Sequence, residues 1–249
     1  MRYLLLLILV VFSCSSKKDV LLIQNSDELG SYEIVFKDIL VNKDDILKID
    51  IKTQLPELDV AFNRINTINP STIEIYQING YQVNSEGNIT IPVIGSLKVI
   101  GLTTTQVSKK IQGLLVEDGQ LVNPIVDVKI VNSYFTILGE VNKPGRYNFL
   151  KNNINIFQAI GIGGGLTING KRKNIKLLRS SEGKLKVSEI DITSSDLFLS
   201  ENFQIIPGDI IIIEPNNARV KNAGLIGNSG TLLSLLSFIL SSIIVISNS

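Results

Sequence analysis

The hydrophobic residues of this chain follow two patterns, and each pattern predicts a different kind of segment. Apolar runs without a charged residue lie near the two ends, over Leu4–Phe12 and Thr231–Ile246. Between them, short stretches such as Asp45–Ile51 and Ile125–Ile130 carry an apolar residue at every second position. This alternation is typical of a strand with one buried face. Only short helical patterns interrupt the strands, so the middle of the chain predicts an α+β fold.

The first predicted unit covers residues 33–131 and combines strands with one helix. Thr103 or Thr104 can cap the exposed amides at the start of this helix. Four apolar residues of the predicted helix share one face: Val107, Ile111, Leu114 and Leu115. Residues 82–91 are interpreted as a hairpin that turns at Ser85–Asn88. The sequence therefore predicts a small strand-rich unit around a single helix.

The second predicted unit covers residues 132–215 and is also rich in strands. Its alternating segments are separated by turn-forming glycine, proline and asparagine residues. The predicted elements are strands over Tyr134–Val141 and Ile210–Glu214, a short helix over Ile154–Ile160, and a hairpin over residues 175–192. This unit is therefore a second small α+β domain.

A glycine run, Gly161–Gly165, has a superficial likeness to a nucleotide-binding loop. A phosphate-binding loop needs a strand before it and a helix after it. Here a helix precedes the glycines and a turn follows, which indicates a helix C-cap. The acidic residues Asp44, Asp45 and Asp191 are interpreted as strand ends or turn caps. The basic segment Lys171–Lys173 is interpreted as a solvated loop, with contact to anionic sugars or lipid headgroups as the alternative.

The N-terminal apolar run has the features of a bacterial lipoprotein signal. It is too short to span a bilayer, and a small residue and then Cys14 follow it. Val11–Cys14 resembles a lipobox, in which the cysteine becomes the lipidated first residue of the mature protein. We therefore expect a signal peptide over residues 1–13, lipid attachment at Cys14 and a lipidated linker over residues 14–32. The alternative is an uncleaved anchor or a conventional signal peptide with an ordinary cysteine.

Residues 216–249 are predicted to form a C-terminal membrane helix. Its charge-free part would extend roughly 24 Å at ~1.5 Å per residue, close to the thickness of a thin bilayer. Small residues recur at steps of three or four, which places them on one helical face. Such a face lets membrane helices approach closely or line a wet lumen. The candidate packing or pore-facing residues are Gly227, Gly230, Ser234, Ser237 and Ser241. A single anchoring helix is the alternative.

Composition removes several functional classes. The 249 residues include one cysteine and no histidine, which excludes an intramolecular disulfide and removes the commonest general base. The net charge of +1 provides no strong field for nucleic acid. The mean hydropathy of +0.27 comes largely from the two terminal runs. We therefore expect no enzymatic activity, no cofactor, no metal and no nucleic-acid partner.

Several short motifs stand in a specific order along the chain. In the first unit they are Lys43–Ile49, Gly87–Gly95, Val99–Thr103 and Asn123–Val128. In the second unit they are Ile137–Tyr147, Ala159–Gly165 and Pro207–Ile210. Together they resemble the polysaccharide biosynthesis/export protein family, with an export domain followed by one soluble-ligand-binding β-grasp (SLBB) domain. Two features depart from the family pattern. Asp44 stands where the family has a glycine. The chain has one SLBB repeat where longer members have more, which implies a shorter periplasmic stack than theirs.

The resemblance implies both a fold and a function. The implied fold is an α+β chain with a small strand-rich export domain, a β-grasp-like domain and a C-terminal transmembrane helix. Family members are lipid-anchored in the outer membrane, with periplasmic domains, and form rings whose C-terminal helices make a pore. The implied partners are further copies of the chain, the exported capsular or exopolysaccharide, and an inner-membrane polysaccharide co-polymerase or tyrosine kinase.

Two other functions are compatible with the sequence. A monomeric carbohydrate-binding or adaptor lipoprotein would tolerate leucine in place of the serines on the C-terminal helix. An envelope hydrolase would need a cleft with paired carboxylates, and the purified chain would release sugar fragments from envelope glycan.

Overall fold

The described residues form two hydrophobic cores, one in each half of the chain. The computed structural model describes residues 20–24, 31, 33–63, 79–92, 94–117, 119, 121–150, 153–181, 183–217 and 229–247. The predicted signal peptide, the lipidation site Cys14 and the helix residue Gly227 lie outside these ranges. The first core includes the fully buried Leu47 and Ile111, and the second includes Phe135 and Ile211. The mixed, strand-rich architecture confirms the predicted α+β class.

A three-stranded antiparallel sheet forms one side of the first core. Strand β1 (Ile46–Lys52) is central, between β2 (Tyr81–Gln82) and β5 (Ile125–Ile130). Its alternate residues Leu47, Ile49 and Ile51 point into the core, as the sequence pattern predicted. A short helix, α1 (Pro56–Phe62), follows β1 directly.

The predicted hairpin over residues 82–91 is wrong in its pairing. The turn is present, because Asn84 Oδ1 accepts the backbone N–H groups of Glu86 and Asn88 at 3.0 and 2.9 Å. However, β2 pairs with β1, whereas β3 (Asn88–Ile91) pairs with β4 (Gly95–Lys98). Local alternation indicates a strand and does not specify which strand becomes its neighbour.

The predicted helix of the first unit is confirmed as α2 (Thr104–Glu117). Thr103 Oγ1 accepts the N–H of Gln106, and the Gln106 side chain accepts the N–H of Thr103 in return, which is a capping box. Two polar side chains fasten α2 to the β5 region. Ser108 Oγ donates to the carbonyl of Val126 at 2.5 Å, and Gln112 Nε2 donates to that of Pro124 at 3.0 Å. The apolar face of the helix is thus held against the sheet.

A five-stranded mixed sheet forms the second unit. In spatial order its strands are β10 (Lys184–Ile190), β9 (Ile175–Ser181), β12 (Ile210–Ile213), β6 (Tyr134–Gly139) and β7 (Gly145–Asn148). Strand β12 runs parallel to β6 and antiparallel to β9. The smaller elements are β8 (Ile154–Asn155), α3 (Ile156–Ile162), a 3-10 turn (Ser195–Leu199) and β11 (Gln204–Ile205). The predicted hairpin over residues 175–192 is confirmed as β9–β10.

The glycine run after α3 ends the helix, as predicted. Gly163 is the C-cap residue, and its N–H donates to the carbonyl of Ala159. The carbonyls of Gly163 and Gly165 accept the N–H groups of Lys143 and Asn142 at 2.8 and 3.1 Å. The run therefore secures the turn between β6 and β7.

The N-terminal segment, including residues 36–37 at the start of the first unit, packs on the second unit, a contact the sequence pattern did not predict. The Phe36 ring lies 6.2 Å from that of Phe203 in the second core. The Gln204 side chain accepts the N–H of Lys37 at 2.9 Å and donates to its carbonyl at 2.8 Å. Further upstream, the N–H of Gln24 donates to the carbonyl of Thr193 at 2.7 Å. These bonds hold the N-terminal segment beside the second unit.

A C-terminal helix, α4, forms over Ser229–Ser247. Among the described residues, none of the helices combines the length and apolar content needed to cross a membrane. The helix predicted from the sequence is therefore present, but its prediction as a transmembrane segment is unsupported.

Asp45 makes the stability of the first unit depend on pH. Its carboxylate accepts the N–H of Asn42 at 2.7 Å, and burial raises its pKa from 3.8 to about 6. Because the folded state holds this proton more tightly than the unfolded state, the contribution of Asp45 to stability is greatest below pH 4 and is lost as the pH rises through about 6. We expect the free energy of unfolding to decrease by about 1–2 kcal/mol over this window. Urea unfolding at several pH values measures it, and Asp45→Asn should remove this contribution.

Candidate functional site

One face of α4 consists of small residues that the structure leaves exposed. Gly230, Ser234, Ser237 and Ser241 all lie on this face, which we call the serine face. Ser234 Oγ donates to the carbonyl of Gly230, and Ser241 Oγ to that of Ser237, each at 2.8 Å. These two hydroxyls are satisfied within their own helix, so they can meet a closely packed neighbour without leaving a donor unpaired.

Away from the serine face, α4 presents large apolar side chains that the described part of the chain does not cover. Its described large apolar side chains are each more than half exposed: Leu233, Leu235, Phe238, Ile239, Leu240, Val245 and Ile246. Water in contact with this much apolar surface is unfavourable, and a contiguous exposed apolar patch marks a membrane or protein contact. The helix therefore has the surface of an element that binds something outside its own subunit.

Two of the three acidic residues singled out in the sequence, Asp45 and Asp191, cap turns. Asp191 Oδ1 accepts the N–H and the hydroxyl of Thr193 at 2.8 and 2.6 Å. Asp44 has a φ of 66°, a left-handed conformation that aspartate tolerates better than most residues. This conformation favours glycine, so Asp44 can occupy a position at which the sequence resemblance implies a glycine. No group of three potential metal ligands occurs within the described ranges.

The basic segment Lys171–Lys173 lines a cavity at one end of the second unit. Lys171 Nζ lies 3.0 Å from Glu214 Oε2, and Lys176 Nζ lies 2.5 Å from Glu214 Oε1. Hydrogen bonds and charge from these two lysines, with Lys176 contributing most, lower the pKa of Glu214 to about 2. Arg172 is only 7% exposed, in contrast to the solvated loop that the sequence predicted. Its burial depends on the fold of the neighbouring loop and has no local sequence signal.

Comparison with known proteins assigns both units to protein families. Residues 35–131 match the family described as polysaccharide biosynthesis/export protein, and residues 134–187 match the SLBB domain. The chain is also similar to the capsule polysaccharide export protein BexD of Haemophilus influenzae, with 21% identity over 192 residues. That alignment covers 77% of this chain and 48% of BexD, so the chain spans about half the length of this relative. The chain therefore contains a domain of the polysaccharide biosynthesis/export protein family over residues 35–131, followed by an SLBB domain over residues 134–187.

Proposed function

We propose that this chain is an outer-membrane lipoprotein and that its copies assemble into a channel that exports capsular or exopolysaccharide. The observation that carries the proposal is the export domain joined to an SLBB domain, an arrangement matched over residues 35–187. The similarity to a capsule polysaccharide export protein supports a polymer of this class as the cargo. The mechanism is passive. The ring encloses a lumen, and no side chain of the chain reacts with the polymer.

The surface of α4 supports assembly of the copies. A serine face on one side and apolar side chains on the others suit a helix that packs beside copies of itself in a ring. The serine face, at Gly230, Ser234, Ser237 and Ser241, would lie at helix contacts or toward the lumen. The apolar side chains would then face lipid. Gly227, one turn before Gly230 in the sequence, would extend the same face.

Lipidation at Cys14 would anchor each subunit in the outer membrane, with both folded units in the periplasm. Cys14 precedes Val20, the first described residue, by six positions, so a short linker joins the lipid to the fold. The driving force for export would come from the inner membrane. A polysaccharide co-polymerase or a tyrosine kinase there is the partner we propose for the periplasmic units.

The second candidate function is a monomeric carbohydrate-binding or adaptor lipoprotein. It would use the polar cavity at the end of the second unit, whose lysine, asparagine and glutamate side chains could hydrogen-bond a glycan, although none of the described lining residues is an aromatic side chain for a sugar to stack on. In that case the serine face of α4 would have no partner helix to contact.

A pair of matched substitutions on α4 tests the channel proposal. Ser241 and Ser242 both donate to the carbonyl four residues earlier, but only Ser241 lies on the serine face. Ser241→Leu should crowd the helix contacts and lower the fraction of chains in rings about tenfold, whereas Ser242→Leu should have little effect. Surface polysaccharide on cells that carry only the variant should fall in parallel. Normal rings and normal export with Ser241→Leu would show that the serine face makes no helix contact, whereas export without rings by the unmodified chain would favour the monomeric adaptor.

A further inference from the structure

The cavity at the end of the second unit has a volume of about 780 Å³ and is lined by four separate parts of the chain. The loop over residues 168–174 forms one wall, and Lys176 and Glu189 of the β9–β10 hairpin form another. Val20 from the N-terminal segment and Asn216–Asn217 after β12 complete it. Backbone bonds fix this arrangement, since Lys171 N–H donates to the Glu214 carbonyl at 2.9 Å and Asn216 N–H to the Asn169 carbonyl at 2.7 Å. The cavity is therefore built from paired backbone segments.

Positive charge exceeds negative charge in the cavity wall. Lys171, Arg172, Lys173 and Lys176 contribute cations, whereas Glu189 and Glu214 contribute the carboxylates. Glu214 is shared by Lys171 and Lys176, and Glu189 accepts from Asn174 Nδ2 at 3.0 Å. Within the described ranges, Arg172 and Lys173 form no ion pair with a carboxylate. The wall thus carries two cations that no carboxylate among its described residues neutralises.

Arg172 places one of these charges in a poorly solvated position. Its Nη1 donates to the carbonyls of Ile168 and Gly170, and its Nε is buried without a hydrogen-bond partner among the described residues. Burial also lowers the pKa of the guanidinium, which reflects the cost of keeping a cation there. A buried charge that lacks a counter-ion is unfavourable, so an anion in the adjoining cavity would be strongly favoured.

The cavity lies where both terminal segments leave the second unit. Val20 is six residues after Cys14, which an extended chain covers in roughly 20 Å. The N–H groups of Ile23 and Gln24 donate to the carbonyls of Ile192 and Thr193, which holds this segment beside the cavity. On the other side, Asn217 lines the cavity twelve residues before α4 begins at Ser229. A lipidated Cys14 would therefore keep the cavity close to the bilayer surface.

We propose that this cavity binds the phosphate of an anionic membrane-lipid headgroup. The proposal rests on the proposed function, because it requires the second unit to be held at a membrane by its lipid anchor. Lysine and arginine side chains are the usual protein donors to phosphate, and a phosphate would neutralise the excess charge of the wall. An anionic glycan is disfavoured because none of the described lining residues is aromatic, which leaves no ring for a sugar to stack on.

Lipid binding by the full mature chain tests this site. The chain, purified in a nonionic detergent, is titrated with phosphatidylglycerol or phosphatidylcholine and the bound lipid is counted by native mass spectrometry. We expect preferential binding of phosphatidylglycerol. Lys173→Gln should weaken that binding about fivefold, and Lys173→Gln with Lys176→Gln should weaken it further. Lys184→Gln removes the same charge from an exposed position outside the cavity lining and should leave binding unchanged. These variants spare the buried Arg172, so a folding defect is avoided.

Three further results would overturn the proposal. The first is equal affinity for the two lipids, or a loss of lipid binding with Lys184→Gln as large as with Lys173→Gln. Either result would show unspecific electrostatic attraction. The second is inorganic phosphate or glycerol 1-phosphate binding as tightly as the lipid, which would identify a soluble phosphate ligand. The third is polygalacturonate displacing the lipid with the higher affinity, which would identify a glycan site. Rings without lipid selectivity would reject this lipid site but leave the export-channel proposal intact. Selective lipid binding by a monomeric chain would support the lipid site and reject the channel.

Discussion

Replacing Asp209 by alanine should lower the free energy of unfolding by about 3–5 kcal/mol, the largest loss that we expect from a single side chain. Asp209 is 1% exposed and forms a two-point ion pair with Arg179, Nε to Oδ1 at 2.9 Å and Nη2 to Oδ2 at 2.7 Å. Its Oδ2 also accepts the N–H of Ile206 at 2.9 Å. Without the carboxylate, Arg179 keeps a largely buried charge that has lost its ion-pair partner, and the turn into β12 loses its anchor.

The surface pair of Lys186 and Glu201 is the matched control. Their side chains are 61% and 50% exposed, so solvent screens the attraction between them. Glu201→Ala should therefore cost less than about 1 kcal/mol in urea unfolding of the mature chain in mild detergent. The Arg179→Met and Asp209→Leu double variant should recover much of the loss, because it removes both charges together. Equal losses for Asp209→Ala and Glu201→Ala would contradict this account of the second unit.

Gly139→Ala should disrupt the pairing of β6 with β12 and cost about 3 kcal/mol or more. Gly139 has a φ of +90°, and an added Cβ would lie 2.0 Å from the carbonyl oxygen of Ile213. That oxygen belongs to the backbone of the neighbouring strand and accepts the N–H of Glu140 at 2.9 Å. It cannot move aside as a flexible side chain could, so the strands must separate.

Gly183→Ala separates the effect of backbone conformation from that of the close approach. Gly183 has a similar φ of +74°, but an added Cβ there would meet no atom of the described residues within 4 Å. Its substitution should cost about 1–2 kcal/mol, the penalty for a left-handed alanine alone. Thermal unfolding of the two variants side by side measures the difference. If Gly183→Ala were as damaging as Gly139→Ala, the close contact with Ile213 would not explain the loss.

Elements with a complete local signal could be predicted from the sequence. The helix α2 has both a capping pair at Thr103 and Gln106 and a regular apolar face. In the structure it begins at the position that the sequence predicts. The β9–β10 hairpin has a tight turn between two strand patterns. Its two strands are consecutive in the sequence and pair with each other in the sheet. In such cases short-range interactions decide the structure, and they can be read directly from the chain.

Contacts between distant segments could not be predicted in this way. The sequence assigned β2 and β3 to one hairpin, whereas β2 pairs with the longer strand β1. The hydrogen bonds between Lys37 and Gln204 join residues 167 positions apart, so no local sequence pattern predicts them. These contacts depend on how whole elements pack, because the same alternating pattern suits several partners.

The same distinction applies to the candidate site. The serine face of α4 is a periodic feature of one helix, so its geometry follows from the spacing of Gly230, Ser234, Ser237 and Ser241. Arginine is rarely buried, and the sequence therefore placed Arg172 in a solvated loop. The structure buries it because the carbonyls of Ile168 and Gly170 bind its guanidinium across a bend that single-sequence patterns do not reveal.

The mass of the assembly in solution tests the export-channel proposal most directly. The mature protein is extracted from membranes in mild detergent and measured by light scattering beside a chain that ends at Asn217 and so lacks α4. The proposal predicts a large, discrete ring for the complete chain, and the truncation should weaken the ring or release the chain from the membrane. A monomer in both cases, under several detergents, would contradict the channel and favour the tethered glycan-binding adaptor.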